Sequence, residues 1–389
     1  MTTPDIRPAP MNRHAAWLWT TPEAQAVLAT RELGAILRAY RRMRSESQTA
    51  TGVLLGYDKT YVSAIELGKR RVTDVASLRH IAERIGVPPH VLGVTDIADT
   101  DFRAMLQFGQ STVRLAEIAR QAGHASEAVA ELWPLVARLE ARARDGYTER
   151  EALRLLANAR LGLGTALGNV LPEERLATAA HWTAKSLAAV KHFDDPALTT
   201  TALRMHGNEL RKAGLIGAAV NRLVRAASLA PDRTSRAAVL PLLARAAGAL
   251  GNAPLFDHTV QEARAMLDEV EHTSLVNPIA LHEIQIRGLL GTGRARQAIQ
   301  QSEEPVPAPT TTVAPQWHVI QLITTGKARL LSGDAPGAQD LLARAATAAY
   351  AHRLPHQLQR IIRMNSSDIA GVTEEAEQGL SRLRNEMAA

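Results

Sequence analysis

The 389-residue chain contains no cysteine. That absence removes disulfides, thiolate catalysis and cysteine-held zinc together. Aromatic residues are scarce, at 4%, which leaves little of the side-chain stock that strands prefer. No apolar run reaches the roughly 18 residues a membrane-spanning helix needs. The opening "MTTPDIRPAPMNRH" has an acid and prolines where a signal peptide would have its apolar core, so no such signal is expected. The expected location is the cytoplasm, with no membrane partner.

Catalytic signatures are also missing. "GLGTALG" at 162–168 has no strand before it and no acid at the distance a nucleotide loop requires. His352 and His356 flank Pro355, which spoils a helical metal face, and His282–Glu283 lacks the second histidine of a zinc hydrolase. His206 and His318 stand alone. No nucleophile, base and acid fall together, so we expect no enzyme, no cofactor and no metal.

Alanine, leucine and arginine dominate a composition that is 46% apolar. These are strong helix formers, so the expected fold is all-α, with length for two or three domains. The net charge of +6 is uneven. Residues 31–71 hold nine basic side chains against four acids, the electrostatic footprint of a polyanion partner.

That basic segment divides into short helices. Thr21 then Pro22 signals a start, and Leu33, Ile36, Leu37 and Tyr40 recur at helical spacing. "QTATGVLLG" ends on Gly56, Asp58 caps a helix over 59–66, and "VTDVASLRHIAERIG" runs from a Thr73 or Asp74 cap to Gly86. Two short helices about a glycine turn make a helix-turn-helix. The order of Gln48, Gly52, Leu55, Gly56, Val62, Ile65, Glu66 and Gly68, with the trailing "LRHIAERIGVPPHVL", resembles the Cro and lambda-repressor type of this motif, the XRE family.

The resemblance implies sequence-specific binding to double-stranded DNA. Lys59, Thr60, Ser63 and Ala64 would face bases, while Gln48, Lys69, Arg70 and Arg71 would hold phosphates. Arg41 and Glu66 occupy positions that form an ion pair in relatives. Tyr57 and Tyr61 are open to either backbone contact or core packing. Two departures, Glu46 and Thr51 where apolar residues are usual, are expected to weaken the first motif helix by about 1–3 kcal/mol. Trp17 and Trp19 read either as a partner surface or as a staple against a neighbouring helix.

The rest repeats. "EALRLLANARLGLG" (151–164) and "TALRMHGNELRKAG" (201–214) share Ala, Leu, Arg, Asn and a closing Gly at matching offsets. Gly207, Leu210, Ala219, Leu223, Ala226 and Pro231 follow a pattern resembling 34-residue tetratricopeptide helix pairs. Segments 111–135 and 320–346 fit the same template, others are degenerate, and "QSEEPVPAPTTTVAPQ" interrupts the array. The expected organisation is an arm over 1–30, the helix-turn-helix over 31–97, a tetratricopeptide-like solenoid over 101–364 and a final helix over 365–389.

Such arrays present a groove. In regulators that join the two modules, groove asparagines hold a signalling peptide, so Arg154, Asn158, Arg204, Asn208 and Arg211 form a candidate site for a peptide or small-molecule signal. Bridging between neighbouring helices is the competing role for them. Ile369, Val372, Ala376, Leu380 and Leu383 share a face that suits either a dimer contact or a cap. The expected protein is a ligand-responsive, homodimeric regulator. The alternatives are an adaptor with a vestigial helix-turn-helix and a DNA binder whose array is only an oligomerisation scaffold.

Overall fold

Helix boundaries follow local capping chemistry. In a computed structural model describing residues 16–87, 89–94, 99–144, 149–305 and 314–388, helices and their connections account for the chain, and no strand occurs among these residues. The first fifteen residues, the Trp17 side chain, 95–97 and the Pro/Thr-rich 306–313 carry expectations that lie outside the described residues. No described helix is long and apolar enough to cross a membrane.

The chain divides into two compact units. One holds the described residues up to Thr112, with Val129–Leu153 and the chain end from Glu386; the other holds Val113–Ala128 and Arg154–Asn385. The first contains α1 (Pro22–Thr30), α2 (Leu33–Arg44), α3 (Gln48–Leu55), α4 (Lys59–Glu66) and α5 (Val75–Ile85). Side chains of Thr21, Ser47, Asp58 and Asp74 each accept a backbone N–H at the N-termini of α1, α3, α4 and α5. Gly56 and Gly86 end α3 and α5 in the left-handed region, where glycine pays no steric cost.

Trp19 settles between the alternatives the sequence left open. It is fully buried, its indole donates to the Ile85 carbonyl at 2.7 Å, and its ring stacks on Tyr40. It is a staple, and the segment from Leu18 onward shares the core of the helices that follow it.

The helices α6 (Asp99–Gln121), α7 (Ala125–Arg144) and α8 (Arg150–Val170) contribute to both units. The second unit continues through α9 (Leu176–Val190), α10 (Pro196–Lys212), α11 (Ile216–Leu229), α12 (Arg233–Leu250) and α13 (Ala253–Met266). It then runs through α14 (Pro278–Gly291), α15 (Ala295–Glu303), α16 (Pro315–Ser332), α17 (Ala335–Ala351), α18 (Pro355–Ile362) and α19 (Ala370–Ala388). Antiparallel pairs stack so that α10, α12, α14 and α16 lie side by side. Small residues sit where partners cross: a Cβ on Gly207 would lie 2.7 Å from Leu223, and one on Gly326 2.8 Å from Leu342.

The array closes on itself. Asn169, near the end of α8, donates to Gln316 at the start of α16 at 2.9 Å. The Glu173 backbone N–H donates to Gln359 at 2.8 Å, Arg363 pairs with Glu173, and Arg384 reaches Glu174 at 2.6 Å. Ile369, Val372, Ala376, Leu380 and Leu383 are all buried in one core with α16, α17 and α18. The last helix is therefore a cap on this unit, and that face is not free for a second copy.

Candidate nucleic-acid interface and ligand cavity

Two anchors fix α4 against its unit. Val62 and Ile65 are buried, and Glu66, only 3% exposed, receives Arg41 through two hydrogen bonds of 2.6 and 2.9 Å. Close approach is required on both sides. A Cβ on Gly34 would lie 2.5 Å from the Ile65 carbonyl oxygen, and one on Gly52 2.6 Å from that of Tyr57. Gly52 was legible in the sequence as a member of the motif; Gly34 was missed.

The opposite side of α4 is wet. Lys59 and Thr60 are exposed, Ser63 and Ala64 half-buried, and Lys69, Arg70 and Arg71 exposed. Asp58 caps the leading end through the Tyr61 N–H at 2.8 Å. The Arg70 guanidinium lies 4.4 Å over the Tyr61 ring, which restrains a long side chain beside the helix end. Short polar residues at the tip and cations at the margin are what a groove-entering helix requires.

Residues 32–92 match a helix-turn-helix domain family. No curated protein matches the chain. Among solved structures, it is similar to PlcR of Bacillus thuringiensis in complex with the peptide PapR7 and DNA, at 12% identity over 86% of this chain and 100% of that one, with a TM-score of 0.32. A circular tandem repeat protein with novel repeat topology and enhanced subunit contact surfaces has 13% identity over 97% of this chain and 94% of that one, with a TM-score of 0.21. Both scores lie below the level at which a common fold follows.

Within the helix-turn-helix domain, two expectations change. Gln48, expected at a phosphate, donates to Glu66 at 2.8 Å and so helps to position α4. Glu46, expected to spoil apolar packing, instead accepts from Arg44 at 2.6 Å. Thr51 is the real defect: it is fully buried and its hydroxyl has no hydrogen-bond partner. Burial would raise the Glu66 pKa, but the hydrogen bonds from Arg41 and Gln48 outweigh it and hold the carboxyl below its usual value.

The second unit contains a partly open cavity of about 830 Å³. Its wall is formed by the first helices of successive pairs and by α18, and it is cationic. Arg204, Asn208 and Arg211 of the expected ligand set line it. Arg154 and Asn158 do not: Arg154 is exposed and paired with Asp195, the residue that caps α10, so its charge is already satisfied elsewhere. Asn208 also departs from its expected role. Its amide donates to Glu209 at 3.1 Å and accepts from Arg211 at 3.1 Å, which leaves it a brace for Arg211.

Sequence reasoning missed Arg245, Arg287, Lys327 and Arg360, which also line the cavity. One signal was present: Arg204 stands three residues before crossing glycine Gly207, and Arg245 three before Gly248. Arg245 is 8% exposed, lies 5.0 Å over the Trp317 ring, and its Nε has no hydrogen-bond partner. Burial, then the neighbouring Arg287, pushes the Arg211 guanidinium down to about 10. Burial, then nearby guanidinium groups, likewise drives Arg245 and Arg360 well below the usual arginine range. Like charges face one another here without enough carboxylates to offset them.

Proposed function

We propose that this protein is a dimeric, sequence-specific DNA-binding transcriptional regulator of the XRE type, with a tetratricopeptide-like array that senses a peptide or small signalling ligand in the cytoplasm. The observation carrying the DNA half is the exposed, capped leading end of α4, with Lys59 and Thr60 in solvent while Val62, Ile65 and Glu66 anchor the opposite side. Lys59 would donate to guanine O6 and N7, and Thr60 and Ser63 would donate or accept at base edges. Ala64 would touch a thymine methyl, and Lys69, Arg70 and Arg71 would hold phosphates. A single module makes few contacts, so two copies would occupy half-sites about one helical turn apart.

The ligand half rests on the cationic cavity and on Arg204 and Arg211 within it. Occupancy would alter the closed array and thereby bias the placement of two DNA-reading heads. A salt-dependent binding titration with a duplex pool tests the DNA half against a vestigial-motif adaptor. A regulator enriches particular sequences and keeps that preference as salt rises; an adaptor shows weak retention that vanishes uniformly with salt.

A further inference from the structure

The cavity's charges can be assigned individually. Arg120 is held by Glu117 through two hydrogen bonds of 2.6 and 2.7 Å. Lys212 pairs with Glu209 at 3.0 Å, Arg287 with Glu283 at 3.5 Å, and Arg363 with Glu173. Each of those four acids has its cation, and one oxygen of Glu209 and one of Glu283 keep no hydrogen-bond partner. Arg204, Arg211, Arg245, Lys327 and Arg360 remain, with no carboxylate of the described residues at ion-pair distance. Arg204 reaches only the Ala238 carbonyl at 3.5 Å, Arg211 only Asn208, and Arg360 only Gln357 at 2.7 Å and Thr324 at 3.4 Å.

Neutral acceptors therefore orient these guanidiniums without neutralising them. A further donor is unspent. His356 accepts from Gln357 on Nε2 at 2.7 Å, so its neutral ring carries the proton on Nδ1, which has no partner. Three of the cavity's amides, by contrast, are committed: Asn208 as described, Asn169 between Gln316 and Lys212, and Gln357 between His356 and Arg360. A peptide backbone needs paired donors and acceptors such as free amides provide. What this wall offers is donors and positive charge.

Arg245 is buried and Arg204, Arg211 and Arg360 are half-buried, while Lys327 is exposed. Cations withdrawn from water without a carboxylate are costly, and a site rich in them stands ready for an anion. The five arrive from α10, α12, α16 and α18. A carboxylate accepts mainly in its own plane, whereas a phosphoryl group presents three oxygens to donors arriving from several directions. Trp317, Leu242, Leu275 and Ile320 supply an apolar stretch of the same wall for an organic body. Resting on the sensor reading above, we propose that the cavity binds a small organic phosphate of two or more negative charges, held by Arg211, Arg245 and Arg360 with Lys327 and the Nδ1–H of His356.

The test uses the full chain at fixed ionic strength. Thermal unfolding and calorimetric titration are followed with inorganic pyrophosphate, with citrate, and with a short peptide of uncharged side chains. Pyrophosphate is expected to bind and raise the melting temperature beyond a potassium chloride control, and more strongly than citrate. Arg245→Met with Arg360→Gln should weaken it by at least about tenfold, with a ligand-free melting temperature no lower than that of the parent, because two unpaired charges are gone. Should that variant not fold, Lys327→Gln, at a side chain held by no hydrogen bond, is expected to weaken pyrophosphate severalfold. Pyrophosphate binding unchanged by these substitutions, or no stronger than citrate, would overturn the proposal. Stabilisation by the peptide alone would overturn it and leave the sensor reading standing. No response to any probe would remove both.

Discussion

Single residues carry consequences that their neighbours decide. Thr51 was visible in the sequence as a polar residue at an apolar position, and its buried hydroxyl is indeed left without a partner. Thr51→Val keeps the shape and removes the unpaired group, so it is expected to stabilise by about 1 kcal/mol, read by urea denaturation. Glu46 gave the same signal in the sequence but lies beside Arg44, a local contact that position alone does not reveal. Glu66 is the reverse case. It is buried, yet two partners satisfy it, so Glu66→Ala should cost about 1–3 kcal/mol by leaving Arg41 and Gln48 without their acceptor.

Two titrations follow with opposite chemistry and the same sign. The Glu66 carboxyl is held below its usual value, so its contribution is present above the ordinary carboxylate range and is lost as pH falls through the folded value. His206 is buried, with Arg222 adding repulsion, which pushes its pKa down to about 4 from 6.5. Its unfolded form binds the extra proton, so stability is full above pH 6.5 and declines as pH falls from 6.5 toward 4. His206→Gln should flatten that part of a stability–pH profile; an unchanged slope would show that the histidine is not buried neutral.

At the scale of elements, caps and crossings were the most legible features. Asp58 with its helix over 59–66 and the glycine stops at 56 and 86 stand where local chemistry put them. The helix-pair spacing of 201–231 likewise reflects contact between Gly207 and Leu223. Gly207→Ala is expected to cost about 1–3 kcal/mol through overpacking. Gly217→Ala, with nothing within 4 Å of the added Cβ, should be neutral or slightly stabilising, and paired denaturation curves separate the two. The fate of the last helix was not legible. An apolar stripe fits a cap and a dimer contact equally, and only the partners on α16 to α18 decide between them.

At the scale of the molecule, the sequence foretold an all-helical chain with a helix-turn-helix domain, but not the closure of the array. Closure depends on contacts between residues near 170 and residues beyond 315, which no periodicity encodes. For the same reason Arg154 and Arg204, alike in their repeats, separate into a surface ion pair and a cavity wall. The cationic cavity emerges only when helices from distant repeats converge. The central claim concerns α4 and DNA. Its most direct measurement is recovery of bound duplexes from a random-sequence pool by the parent chain, by Lys59→Ala with Thr60→Ala, and by Lys69→Ala. The parent should enrich a two-part site; the double variant should lose that preference while still retaining DNA. Lys69→Ala should keep the same site with weaker binding and a salt slope reduced by about 1. Recovery of the parent's site by the double variant would contradict the account.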